Sequence, residues 1–185
     1  MTNVKIFVSV LVVLVLGIVA TVVLRGGGVS DNGSEKYVQY RVGENSQNLD
    51  LIGQLFENQG QTHIKTGESH PPYNSNPPTS GWHYIQPARW GVYARPLVDE
   101  QAVHNLEHGG IWISYKDIDA ETKANLEKIA KANSRSVILS PRDANDSKIM
   151  LASWTRLEKL DSYDEAKILD FILRNKNKSP EPLAR

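Results

Sequence analysis

Between Gly60 and Arg95 the chain carries five of its nine prolines, Pro71, Pro72, Pro77, Pro78 and Pro87, interleaved with Tyr73, Trp82, Tyr84, Trp90 and Tyr93. Proline fixes φ and removes a backbone donor, so this stretch is not a regular helix. It is also too aromatic for a solvated linker. The composition predicts a long ordered loop packed against a core, and loops of that length in a compact domain usually have a functional reason.

The N-terminal end is constrained in another way. Ile6 to Leu24 reads IFVSVLVVLVLGIVATVVL, nineteen residues without a charge, which is the length needed to cross a hydrocarbon core of ~30 Å as a helix. Residues 1–25 are expected to be a transmembrane anchor. A cleaved signal peptide cut at Ala20 is the alternative, but the apolar run continues to Leu24 and is long for that purpose. Lys5 before the span and Arg25 after it nearly balance, so the charge rule orients it weakly. The short N-terminal side favours a single-pass protein of the cell membrane with its domain outside the cytoplasm.

Residues 26–36, opening GGGVSDNGSE, have the composition of a flexible linker. What remains of 185 residues is enough for one globular domain, expected over 37–178, and too little for two large ones. SPEPLAR, 179–185, reads as a disordered, frayed tail. Beyond the span there are 19 basic and 21 acidic residues, with no basic patch, so nucleic acid is not an expected partner. The chain has no cysteine, which excludes disulfides, thiolate metal sites and cysteine nucleophiles.

Hydrophobic periodicity supplies the elements. YVQYRV at 37–42 suits an edge strand, and Leu51, Ile52, Leu55 and Phe56 suit one face of a helix. Ile111–Tyr115 predicts a strand; Asp119 can cap a helix running to about Asn133 with Leu126 and Ile129 inward; Val137–Ser140 is a second strand, ended by Pro141. Ile149–Leu157 reads as a third strand. Ser162 to Glu165 forms a capping box for a last helix with Leu169, Ile172 and Leu173 inward and Arg174, Lys176 and Lys178 near its carboxyl end. The expected class is α+β: a small, mostly antiparallel sheet with two or three helices and the long Pro/aromatic/His-rich loop, preceded by the transmembrane helix. No internal repeat, phosphate-binding glycine loop, nucleophile elbow or dinucleotide fingerprint is present.

All five histidines, His63, His70, His83, His104 and His108, lie in a window of 46 residues. Imidazole is the commonest neutral metal ligand, so their clustering suggests a site. The strongest pair stands in VHNLEHGG, Val103 to Gly110. If Asp99 caps a short helix there, Ala102, Val103 and Leu106 form its apolar stripe and Gly109 its left-handed end. At ~100° per residue, His104 and His108 then stand one turn apart within ~40° of each other, able to share an ion. A solvated helix end with a histidine against the dipole is the plainer reading of the same pair. Glu107 could be a ligand, an acceptor behind an imidazole N–H, or a salt-bridge partner.

The blocks NPPTSGWHY (Asn76–Tyr84), WGVYARP and VHNLEHGG together resemble the bacterial and archaeal family catalogued as domain of unknown function 3105. PPTSG-x-H followed by H-x-L-E-H-G is far more specific than H-x-x-E-H alone. The resemblance is strong over Gln61 to Tyr115. It singles out Pro77, Pro78, Thr79, Ser80, Gly81 and His83, then His104, Glu107, His108 and Gly109, with His63 as the upstream histidine. It implies a membrane-anchored or secreted domain with no established reaction.

The PPTSG turn would hold His83 at a defined angle, which suits a metal ligand and equally a buried packing residue. The leading expectation is a mononuclear site with His83, His104 and His108 as core ligands and His63 as the fourth, supported by Glu107, Ser80 and Tyr93. Nitrogen ligands outside the cytoplasm suit zinc or copper(II). Met150 is the only methionine besides the initiator, which disfavours a methionine-rich copper(I) carrier.

Two other readings stand beside it. In a metal-dependent hydrolase Glu107 would be the general base, but the carboxylate such enzymes draw from a further helix has only Glu121 or Glu127 to supply it, on a helix without the matching signature. In a metal-free module, Trp82, Tyr84, Trp90 and Tyr93 would line a groove for a peptide, a glycan or an envelope protein partner. The balance leans away from an enzyme, and no small-molecule substrate is indicated.

Overall fold

The computed structural model of the protein describes residues 49–184. The expected anchor, the linker and the YVQYRV strand lie outside the described residues. Among the described residues no helix is long and apolar enough to cross a membrane.

In chain order the elements are β1 (Gln54–Leu55), β2 (His63–Ile64), β3 (His83–Tyr84), β4 (Gly91–Val92), α1 (Asp99–Glu107), β5 (Ile111–Tyr115), α2 (Ala120–Ala132), β6 (Val137–Pro141), β7 (Ile149–Ser153), β8 (Arg156–Leu160) and α3 (Glu165–Asn175). The class is α+β with three helices. Six strands form one sheet in the order β1-β8-β7-β5-β6-β4, and β2 pairs with β3 in a separate two-stranded sheet.

The large sheet is mixed rather than mostly antiparallel. β5 and β6 run parallel, as do β4 and β6, whereas β7 is antiparallel to both β5 and β8. The reason is α2: a helix between two strands carries the chain back to the end it left, so β5-α2-β6 is a parallel crossover unit. The span read as a single strand, Ile149–Leu157, is instead a hairpin. It turns at Trp154 and Thr155, where Thr155 takes a positive φ of 60°, and returns as β8.

Period-two alternation divides the central strands between two cores. Ile111, Ile113, Val137, Leu139, Ile149 and Leu151 face one way, against Leu126 and Ile129 of α2 and Ile168, Phe171 and Ile172 of α3. Trp112, Ile138, Met150 and Ala152 face the other, against Ala102, Val103 and Leu106 of α1, with Phe56, Tyr73, Trp90, Tyr93 and Leu97 packed around them. The long loop is thus the cover of one sheet face. Two of the four loop aromatics expected as groove or core, Trp90 and Tyr93, pack here, and Tyr84 is buried beside β2.

Caps and helix starts differ in detail from the sequence reading. Asp119 caps α2 as expected, accepting from Thr122 N–H at 2.6 Å. α3 is capped by Asp164, which accepts from Lys167 N–H at 3.0 Å; its buried face is Ile168, Phe171, Ile172 and Asn175, with Leu169 half-buried at the edge of the same core and Leu173 not part of it. Asp99 does not cap α1, since Val98 holds that position; its carboxylate takes a bidentate pair from Arg142 at 2.7 and 2.9 Å. No helix forms around Leu51–Phe56. Gly53 sits at φ 87°, where a Cβ would stand 2.9 Å from the Leu157 carbonyl, and Ile52 exchanges two backbone hydrogen bonds with the Asn175 amide.

The segment expected as a frayed tail is docked. Glu181 N–H donates to the Glu107 carbonyl at 3.1 Å, and Leu183 and Ala184 N–H donate to the His108 carbonyl at 3.0 and 2.9 Å. Those carbonyls end α1 and would otherwise lack partners within the helix.

Candidate metal centre

Three short backbone devices bring the histidines together. β2 and β3 pair in parallel with His63 opposite His83, so both imidazoles leave the small sheet on the same side. β3 lies against α1, which contributes His104 and Glu107 from successive positions of one face. The PPTSG turn is locked from several directions: Ser80 Oγ accepts from Gln59 N–H at 3.1 Å, the Thr79 carbonyl accepts from Thr155 N–H at 3.0 Å, and Pro77 to Ser80 are all buried. Ser80 therefore secures the loop that carries His83. Tyr93, expected beside the ligands, donates its hydroxyl to the Arg89 carbonyl at 2.6 Å and steadies the loop further along.

One ligand atom from each of His63, His83, His104 and Glu107 lies within 4.8 Å of all the others. Glu107 Oε2 is 3.0 Å from His83 Nε2, 3.2 Å from His63 Nε2 and 3.9 Å from His104 Nε2. Four donors on a tetrahedral ion with bonds of 2.0–2.1 Å stand about 3.3 Å apart. The observed separations bracket that value, so the group is close enough to hold a metal ion.

The orientation of two imidazoles is set from behind. His83 Nδ1 lies 2.8 Å from the Gly81 carbonyl and His104 Nδ1 2.6 Å from the Tyr84 carbonyl. A carbonyl accepts only, so each Nδ1 carries the proton and each Nε2 turns a lone pair into the cluster. Backbone support of this kind is what orients metal-bound histidines. Burial, the largest influence, lowers the pKa of both rings, and for His104 the neighbouring imidazoles act in the same direction. Both are therefore neutral near pH 7 and ready to donate electron pairs.

That arrangement leaves a contradiction among the protein groups alone. The His83 Nε2 lone pair faces Glu107 Oε2 at 3.0 Å, acceptor against acceptor. Glu107 is fully buried, and its other oxygen, Oε1, has no hydrogen-bond partner. A buried carboxylate without compensation costs several kcal/mol. A proton held on the carboxyl resolves the His83 contact alone, whereas a divalent cation satisfies all four groups at once.

His108, expected among the core ligands, stands just outside this group, and Glu107 occupies the inner place. His108 is the C-cap of α1, already off helical geometry, with its Nε2 3.2 Å from His104 Nε2 and 3.4 Å from Glu181 Oε2. His70 belongs elsewhere: it reaches the Pro71 carbonyl and Glu100 and packs against the Tyr73 ring, tilted, with centroids 4.6 Å apart.

Two contributors escaped the sequence reading. Asn105 exchanges hydrogen bonds of 2.9 Å with both backbone groups of Ala88, pinning the loop after β3 to α1; a buried asparagine inside a helix motif was the available signal. Glu181 stands in a polar, proline-flanked segment with nothing in its pattern to mark it.

Residues 63–185 match the family described as "Protein of unknown function (DUF3105)", which covers every residue of the cluster. No curated protein and no solved structure matches the chain.

Proposed function

The chain belongs to the DUF3105 family, and from the buried imidazole and carboxylate cluster we propose that it is a membrane-anchored, extracytoplasmic protein that binds zinc or copper(II). The observation that carries this reading is Glu107: a fully buried carboxylate with one oxygen against three imidazole nitrogens and the other without a partner. Three nitrogens and one carboxylate oxygen are a donor set suited to these borderline ions. The uncharged run from Ile6 to Leu24 supports a place at the cell membrane, with the cluster on the side where no cytoplasmic reductant or thiolate competes for the ion.

The hydrolase reading is weakened by where Glu107 lies. A general base stands beside the ion and reaches its bound water, whereas this carboxylate sits among the imidazoles as a prospective ligand. A partner protein in the envelope remains part of the proposal for the exposed loop around Ile85, which is 52% exposed beside the cluster.

The test is to purify the full chain in a mild detergent and measure bound metal by elemental analysis, before and after reconstitution at neutral pH. The expected result is uptake of zinc or copper(II) that is lost in a His83→Ala/His104→Ala variant of unchanged circular dichroism. Absence of metal as isolated, together with no uptake on reconstitution, overturns the reading.

A further inference from the structure

The docked C-terminal segment brings a second carboxylate to the cluster. Ligand atoms of Glu107, His108 and Glu181 lie within 4.8 Å of one another, and Glu181 Oε2 is 3.4 Å from His108 Nε2. Its approach is fixed by main chain, through the bonds from Glu181, Leu183 and Ala184 to the last carbonyls of α1. Asn177 tightens the same junction: its N–H donates to the Gly109 carbonyl at 2.9 Å and its side-chain amide to the Ala184 carbonyl at 2.6 Å. The contact is so close that a Cβ on Gly109 would stand 2.8 Å from Asn177 Cα, and Gly109 holds φ at 83°. Ala184, near the chain end, is 4% exposed.

We propose that Glu181, His108 and Glu107 form a second divalent-cation site beside the first, with the Glu107 carboxylate bridging the two. The proposal rests on the metal-binding reading of the first cluster. Three observations support it. Glu107 presents one oxygen to the three imidazoles and keeps a second, buried and unpartnered, which is what a bridging carboxylate needs. His104 and His108 place their Nε2 atoms 3.2 Å apart, and each falls in a different one of the two ligand groups that share Glu107. Glu181 is 45% exposed at its side chain, so the second site opens to solvent, where water can complete it, whereas the first reaches solvent only through His63, with His83, His104 and Glu107 buried. Paired divalent ions lie about 3.5–4 Å apart in proteins that use them, a spacing that adjoining sites sharing one carboxylate produce.

Zinc titrated into the full chain in detergent should bind at two equivalents. In Glu181→Gln, which keeps the backbone bonds of the tail, it should bind at one. Amide exchange at Leu183 and Ala184 reports whether the tail is still docked. If both protection and the second equivalent are lost, His108→Ala, whose carbonyl still receives the tail, decides: one equivalent supports the second site and two overturn it. A parent that binds one equivalent, with Glu181→Gln binding it equally well, overturns the second site and leaves the first. A parent that binds none overturns both.

Discussion

The two faces of the central sheet are closed by different physics. One is sealed by hydrocarbon: α2 and α3 lay amphipathic stripes on Ile111, Ile113, Val137, Leu139 and Leu151, and the large side chains there are fully buried. The other is sealed by a short helix and a proline-rich loop whose buried groups include Thr79, Ser80, His83, His104, Asn105 and Glu107. The first face derives its stability from non-directional burial and tolerates exchange of one apolar residue for another as long as volume and hydrophobic pattern are kept. The second has an apolar core of its own around Trp112 and Leu106 but adds directed bonds, each of which fixes a side chain at one angle. A site for an ion belongs on the second kind of surface, because ligands must be held by something stiffer than packing.

That contrast makes the faces separable by mutation. The largest effect should come from Phe171→Ala on the hydrocarbon side, with a loss of about 3–5 kcal/mol in denaturant unfolding and unchanged metal stoichiometry in the folded fraction. An altered stoichiometry would show that the faces are coupled. Glu107→Gln should act in opposite directions with and without metal. The metal-free variant should be more stable than the parent by about 1–3 kcal/mol, because the amide can donate to His83 Nε2 where the carboxylate only accepts. Saturating zinc should raise the melting temperature of the parent and raise that of the variant much less. A destabilised metal-free variant would contradict the lone-pair conflict.

Asn105→Ala removes both bonds to Ala88 and leaves two buried backbone groups unpaired. The expected cost is about 1–3 kcal/mol, accompanied by faster amide exchange at Ala88, with the other face keeping its protection. The smallest effect belongs to Asp164→Ala, which deletes the cap of α3 and should cost about 1 kcal/mol; zinc affinity should not move. A change in affinity there would break the comparison from the opposite side.

The hydrocarbon face was the more legible in the sequence, for the same reason. Periodicity records burial, and so Ile111–Tyr115, the α2 span with its Asp119 cap and β6 could be read directly. What periodicity does not record is direction. It missed the parallel crossover through α2 and the turn at Thr155, since a continuous apolar run gives no sign of where a buried strand reverses. For the site, the histidine spacing and the PPTSG and HxLEHG blocks pointed to His63, His83, His104 and Glu107. They did not rank Glu107 above His108, because an i, i+4 count cannot tell that His108 leaves the helix as its cap. Glu181 was invisible because long-range backbone bonds, not its own neighbours, bring it to the cluster.

The parallel pairing of His63 with His83 has a consequence for how such chains can vary in length. Each strand contributes only two residues, and adjacent bonds from Gly81, His83 and Ile85 to Gly60, Thr62 and Ile64 lock them in step. A slip of one position would turn an imidazole to the opposite side of the pair. The connecting excursion carries no strand register around Gly67, where an added Cβ would meet nothing within 4 Å and the ties are a φ of 81° and one N–H bond to the Tyr84 hydroxyl at 3.2 Å. Insertions at that tip should leave the ligands in place, whereas a single residue added between Gly60 and His63 should displace one of them entirely.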